Sequence, residues 1–193
     1  MNITWHGYHT IKIVTHGLTL VLDPHAPQKD LPPFRAKTDI VALSNPSDEN
    51  MSHLGGIQGA PIVINTPGEY SLSGLTLCAR GWHHADGSER SLQRWRIEDV
   101  TILHLGDLSR KLTTEELQEI EQIPIDILLL PINGHDKTII TVIEPRIVIP
   151  INYTSIDNFA KEMGVSPSIA QSKLTVNARK LPAEGLATVI LSP

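Results

Sequence analysis

Cysteine is almost absent from this sequence, because Cys78 is the only one in 193 residues. A single cysteine excludes an intrachain disulfide framework and a metal site built on several thiolates. Long apolar runs are also missing, since none approaches the ~20 residues that a membrane-spanning helix needs. The opening MNITWHGYHT has neither the basic nor the apolar segment of a secretory signal. We therefore expect a cytoplasmic protein that does not enter a membrane.

Positive charge is scarce as well. The 16 Lys and Arg residues are outnumbered by 21 Asp and Glu residues, which gives a formal net charge of -5. A surface that binds nucleic-acid phosphates needs a basic cluster, and the only dense basic stretch is RSLQRWR at residues 90–96. Arg94 and Arg96 would share one face of a strand. We interpret this stretch as a solvated strand face and expect no nucleic-acid partner.

The first half of the chain has the pattern of short strands. Apolar or β-branched runs are closed there by turn residues, at residues 10–14, 18–23, 39–43, 62–65, 75–79, 92–97 and 100–105. Residues 24–37 contain four prolines and are predicted to form an extended loop.

The second half alternates strands with helices. Strands predicted at 126–130 and 146–150 lie on either side of a short helix at 137–143, as in a βαβ crossover. Thr113 and Glu116 have the spacing of a capping box, and a helix at 156–163 would end at Gly164. Two closing strands are predicted at 174–177 and 187–191. Together these patterns predict a single α/β domain over residues 1–193, with mixed sheets and functional loops at strand ends.

One polar stretch, LSNPSDENMSHLGG at residues 43–56, separates two apolar runs. Loops in this position carry the chemistry of many α/β proteins. Its spacing is that of a metal-binding loop, but most of its side chains are not metal ligands.

Several short segments, taken in order, resemble the metallo-β-lactamase-fold hydrolases, in particular the small branch similar to ascorbate-6-phosphate lactonase. They are ITW (3–5), LDP (22–24), TPGEY (66–70), HLGDL (104–108) and IVIP (147–150). The resemblance covers residues 3 to about 153. It implies a four-layer αββα sandwich with the active site along one edge, where loops from both sheets meet.

The resemblance also implies which residues stand at the metal positions. The family's His-x-His-x-Asp-His motif would lie on residues 45–50, and its later ligands would fall after three further strands. The seven positions are then Asn45, Ser47, Glu49, Asn50, His83, Asp107 and Asn152. Only His83 and Asp107 keep the family's residue type. Glu49 is a longer carboxylate, and the other four are amides or a hydroxyl.

This donor set is poor for zinc. A zinc hydrolase site needs imidazole or anionic ligands, usually three per metal with a bound water. Amide and hydroxyl oxygens do not replace imidazole there, although they can help to hold calcium or magnesium beside several carboxylates. We therefore expect no cofactor, or at most a single divalent metal, and we assign no catalytic residue.

Two functions from different classes remain open. The first is a non-catalytic descendant of a metal-dependent hydrolase, in which the polar residues of the old site satisfy one another and water. It would bind a small polar ligand or a protein partner, and another copy of the chain is one such partner. The alternative is a hydrolase of small esters, lactones or phosphoesters. Its rebuilt single-metal site would use Glu49, Asp107 and His83 with a recruited histidine such as His25 or His53.

Overall fold

The computed structural model describes residues 1–83, 87–108, 110–133 and 138–193. In chain order its strands are β1 (Asn2–Trp5), β2 (Ile11–Val14), β3 (Thr19–Leu22), β4 (Ala36–Lys37), β5 (Ile40–Ala42), β6 (Ile57–Gln58), β7 (Ile62–Ile64), β8 (Gly68–Leu72), β9 (Leu75–His83), β10 (Glu89–Ile97), β11 (Val100–His104), β12 (Ile127–Pro131), β13 (Ile147–Ile151), β14 (Leu174–Thr175) and β15 (Ala187–Thr188). The α-helices are α1 (Thr114–Glu121), α2 (Thr138–Ile143) and α3 (Asp157–Glu162). Short 3-10 turns occur at Leu54–Gly56, Pro167–Ile169 and Ala178–Lys180.

These strands form two mixed sheets. The first has the order β14-β1-β2-β3-β5-β7, and the second has the order β15-β13-β12-β11-β10-β9-β8. In each sheet an antiparallel part adjoins a parallel part, which is β3-β5-β7 in the first and β11-β12-β13-β15 in the second. Parallel strands covered on both faces are apolar throughout, and every residue of β12 and β13 is buried. The crossover predicted around α2 is confirmed.

The main apolar core lies between the two sheets and contains Trp5, Ile13, Leu22, Trp95 and Leu129. A second core lies on the outer face of the second sheet, where Ile120 of α1, Ile140 of α2 and Phe159 of α3 pack. The capping box that begins α1 is present, because the Thr113 side chain accepts from the Glu116 N–H and Glu116 accepts from the Thr113 N–H. The layered α/β sandwich predicted from the sequence is therefore confirmed.

The outer face of the first sheet is covered in a different way. Phe34, Ala36 and Ile57 pack there on Val21 and Val41, and β4 and β6 pair in a two-stranded ribbon. Within the described residues this layer contains a 3-10 turn and no α-helix. The prolines of residues 24–37 explain this, since proline removes backbone donors and disfavours helix.

Helix length bears on the membrane question. The longest helix in the described residues has eight residues, and none of the described helices is long and apolar enough to cross a bilayer.

The two sheets are joined directly at one edge, beside the polar stretch identified in the sequence. The Ser91 N–H at the start of β10 donates to the Ser44 carbonyl beyond β5, at 2.8 Å. Gly106, beyond β11, packs against the same serine with a φ of +59°. A Cβ atom at position 106 would lie 2.5 Å from Ser44 Oγ and 2.6 Å from Ser44 Cβ. Glycine is therefore required there for close packing as well as for backbone conformation.

Replacement of Gly106 by alanine tests this contact. We expect Gly106→Ala to lower the free energy of unfolding by about 1–3 kcal/mol, because it combines a left-handed backbone with steric overlap. Gly17→Ala is the matched control, since Gly17 has a φ of +96° but nothing within 4 Å of the added carbon. Urea unfolding should show the larger loss for Gly106→Ala. Equal losses would mean that contact with Ser44 contributes nothing.

Candidate functional site

Carboxyl ends of strands from both sheets meet at this edge. Asp23 follows β3, Ser44 lies two residues beyond β5, and His104 ends β11. In α/β sheets, ligands bind beside the carboxyl ends of strands. This edge is therefore the place to look for the residues that the sequence analysis assigned to a metal site.

A buried carboxylate holds the centre of the edge. Asp23 Oδ1 accepts from the Ser44 N–H at 2.6 Å, and Asp23 Oδ2 accepts from Ser44 Oγ at 2.6 Å. His104 Nε2–H donates to the same Oδ2 at 2.6 Å. The side chains of Asp23 and His104 have no solvent exposure, and Ser44 is also buried. With three donors the charge of Asp23 is well compensated, as a buried carboxylate requires.

The same three residue types occur in serine hydrolases, but their arrangement here is different. In a nucleophilic triad the serine hydroxyl donates to histidine, and the carboxylate orients that histidine from the far side. Here the Ser44 hydroxyl donates to Asp23, and the carboxylate lies between the other two side chains. Because the three are buried as well, the cluster is structural and joins the two sheets.

Asp107 lies beyond β11 and is held by two side chains. Arg90 Nη1 donates to Asp107 Oδ2 at 2.6 Å and to the Asp107 carbonyl at 3.3 Å. Asn45 Nδ2 donates to the same Oδ2 over a longer 3.4 Å. Arg90 Nε in turn donates to Ser88 Oγ at 3.3 Å, and only 11% of the Arg90 side chain is exposed. The structure thus brings together two of the seven predicted positions, Asn45 and Asp107.

The other positions lie apart from this pair or outside the description. Ser47, Glu49 and Asn50 are exposed, and the Asn50 N–H and Nδ2 both donate to Asp48 Oδ1. Asn152 is half-buried with a φ of +50°, and its N–H donates to the Tyr8 carbonyl. The side chain of His83 lies outside the described part of the structure.

Of the histidines considered for a relocated site, His25 has the most ligand-like setting. It is buried, its Nδ1–H donates to the Ala26 carbonyl at 2.7 Å, and its Nε2 has no hydrogen-bond partner among the described residues. A metal-binding histidine usually donates its second nitrogen to such an acceptor. His53 is half-buried beside Gly55. His84 and His135 lie outside the described residues.

The donor set does not fit a zinc centre. Among the side chains that the structure describes, which do not include that of His83, no three of His, Cys, Asp or Glu come together as a metal site requires. Asp107 Oδ2 is engaged by a guanidinium, and the neighbouring Asn45 offers an amide. Zinc sites of hydrolases need three protein ligands of imidazole or carboxylate type, so we derive no metal-dependent step.

Sequence reasoning did not assign Asp23, Ser44, His104 or Arg90 to the site. All four stand inside quoted segments, namely LDP (22–24), LSNPSDENMSHLGG (43–56), RSLQRWR (90–96) and HLGDL (104–108), and the polar residues of those segments were the available signal. Arg90 was grouped with Arg94 and Arg96 on a solvated strand face, and the structure corrects that interpretation for Arg90. The strand begins beneath the Asp107 loop, which local sequence does not reveal.

The fold and this edge define a protein class, that of the metallo-β-lactamase-fold proteins. The family described as "Beta-lactamase superfamily domain" matches residues 2–152, which is most of the chain. The chain therefore belongs to this superfamily, as its sequence led us to expect.

Individual relatives extend the comparison. A UPF0173 protein of Pyrococcus abyssi is 25% identical over 218 aligned positions, covering 96% of this chain and 99% of the relative. A UPF0173 metal-dependent hydrolase of Lysinibacillus sphaericus is 22% identical, with coverage of 89% and 93%. A Thermotoga maritima crystal structure, assigned to the Zn-dependent hydrolases of the superfamily, has a TM-score of 0.76 and 25% identity over 99% of both chains.

A pH dependence follows from His6, near this edge. Burial, with the charges of Lys12 and His25, lowers the pKa of His6 from 6.5 to about 4. Between these values the unfolded chain takes up a proton that the folded chain does not, so stability falls as pH drops from 6.5 towards 4. We expect His6→Gln to reduce the loss of urea resistance between pH 7 and pH 5. His16→Gln, at a side chain that is 98% exposed, is the control, and an equal pH dependence in all three proteins would contradict this assignment.

Proposed function

We propose that this chain is a non-catalytic cytoplasmic member of its superfamily, which acts by binding and not by metal-dependent hydrolysis. Its relatives are named metal-dependent hydrolases. The observation that supports the proposal is the state of the metal positions. Asn45 and Asp107 are occupied with each other and with Arg90, while Ser47, Glu49 and Asn50 are exposed.

A cavity beside Asn152 is the candidate place for a small polar ligand. It has a volume of about 380 Å³ and is lined by residues that include Trp5, Asp30, Asn133, Asn152 and Tyr153. The rings of Trp5 and Tyr153 lie 4.6 Å apart and provide an apolar wall. Amide groups supply donors and acceptors together, and an apolar wall with a few polar groups is typical of small-molecule sites. We propose that a planar compound bearing an amide binds against this lining.

The alternative function, a hydrolase with a rebuilt single-metal site, has one observation in its favour. The buried Nε2 of His25 is free among the described residues, and its Nδ1 is oriented as in a ligand. The other ligands of this single-metal site would have to be Glu49, which is exposed, and Asp107, which is paired with Arg90. The exposure of Glu49 and the ion pair of Asp107 therefore favour the binding function over the hydrolase.

Self-association is a separate proposal about partners. Strand β7 lies at the open edge of the first sheet, and Ile62 and Val63 on it are 52% and 38% exposed. Exposed apolar edge strands pair readily with other strands. We therefore propose a second copy of the chain as the partner at this edge, and sedimentation of the purified protein would test it.

Metal content separates the two functions. We expect protein purified without chelator to carry zinc, manganese and iron only at background level, and Asp107→Ala to leave that level unchanged. The substitution should cost about 1–3 kcal/mol of stability, because Arg90 and Asn45 lose their acceptor. Elemental analysis with urea unfolding measures both. Stoichiometric metal that is lost in Asp107→Ala, or in His25→Ala, would establish the alternative.

Ligand binding in the cavity is tested with nicotinamide, whose ring and amide match the lining. Saturation-transfer NMR should detect contact with the wild-type protein and a clear reduction in Asn152→Gly, which removes the amide while keeping the φ of +50° accessible. Ser73→Gly, at a turn residue with a φ of +48°, is the matched control. Equal signals from the three proteins would exclude Asn152 from the site.

A further inference from the structure

Asp107 presents an electrostatic problem, because it is a partly buried carboxylate. By resemblance it stands where the family has a bridging aspartate, and its side chain is only 31% exposed. A carboxylate that is partly removed from water needs a compensating cation or several donors. In the family that cation is the metal. Here a cation of the chain itself contacts the carboxylate.

Arg90 supplies the compensation at the same oxygen. Its Nη1 lies 2.6 Å from Asp107 Oδ2, the oxygen that also accepts from Asn45 Nδ2. A second bond from Nη1 to the Asp107 carbonyl, and one from Nε to Ser88 Oγ, fix the guanidinium plane. The 11% exposure of the side chain shows that the group is largely removed from water.

We propose that the Arg90 guanidinium is a resident cation that takes the place of a divalent metal at Asp107 and bars metal from this edge. The inference rests on the proposed function and adds a cause to it. The lost imidazoles are then only part of the reason for the absence of zinc affinity. Restoring them while Arg90 remains should give a poor metal site.

The chemistry of arginine supports this role. A guanidinium stays protonated throughout the physiological pH range and donates in a fixed planar geometry. A metal approaching Asp107 must first displace the 2.6 Å bond and then remain near a positive charge, with which it interacts repulsively. Both effects oppose binding, and neither depends on the identity of the metal.

The test restores the family's ligands with and without the arginine. The first variant carries Asn45→His, Ser47→His, Asn50→His and Asn152→His, and the second adds Arg90→Gln. Zinc affinity is measured by isothermal titration calorimetry on folded protein. We expect Arg90→Gln to tighten zinc binding by about tenfold or more, which corresponds to a coupling of about 1.4 kcal/mol between the guanidinium and the metal.

The matched control adds Arg94→Gln to the four histidines. Arg94 lies on the same strand, and its replacement by glutamine removes the same charge. The Arg94 Nη1, however, donates to the Glu119 carbonyl of α1 and not to Asp107. This control should leave zinc affinity within about twofold of the four-histidine variant, because well-separated sites act independently. A similar gain from both substitutions would mean that net charge, and not Arg90, opposes the metal.

Two further results would overturn the inference. One is equal zinc affinity with and without Arg90, and the other is no zinc binding by either folded variant. If the four-histidine proteins do not fold, a double-mutant cycle of Arg90→Gln and Asp107→Asn decides the matter. The inference predicts clearly non-additive losses of urea resistance, and additive losses would contradict it. Zinc in the unaltered chain would instead overturn the proposed function.

Discussion

The buried carboxylate of Asp23 is the interaction on which the site edge depends. It accepts from the backbone and hydroxyl of Ser44 in the first sheet and from His104 in the second. These contacts, with the Ser91–Ser44 bond and the close approach of Gly106, hold the carboxyl ends of β3, β5 and β11 together. The edge is therefore held together by hydrogen bonds within the chain.

These bonds do not involve the seven positions assigned by resemblance to metal ligands, so substitutions at those positions would leave the bonds intact. The described ones among those positions lie in loops after strands, where their polar atoms can reach water or one another. Asn45 remains buried beside Asp107, while Ser47, Glu49 and Asn50 turn outward. Among these four residues and Asp107, only Asp107 carries a partly buried charge, and the Arg90 guanidinium balances that charge.

The sequence predicted those parts of the fold that follow from local pattern. Continuous apolar runs identified β12 and β13, because strands of a covered parallel sheet are buried on both faces. The capping box of α1 was predicted from Thr113 and Glu116 alone. Strand β8 was not predicted, since Gly68, Glu69 and Ser71 have weak strand preference. Pairing with β9 creates it.

The site was harder to predict, because its contacts join distant parts of the chain. Asp23 and His104 are 81 positions apart, and no periodicity connects them. Arg90 lies just before the strand predicted at 92–97, on whose face only Arg94 and Arg96 were placed, and the whole stretch 90–96 was interpreted as solvated. The loop that carries Asp107, and not the strand itself, determines how deeply the Arg90 side chain is buried.

The most direct measurement is a crystal structure of protein purified without chelator, with anomalous data collected above the zinc absorption edge. We expect electron density for the Arg90 guanidinium beside Asp107 Oδ2, and no anomalous peak between the side chains of Asn45 and Asp107. An anomalous peak bound by Asp107, with Arg90 turned away, would contradict it.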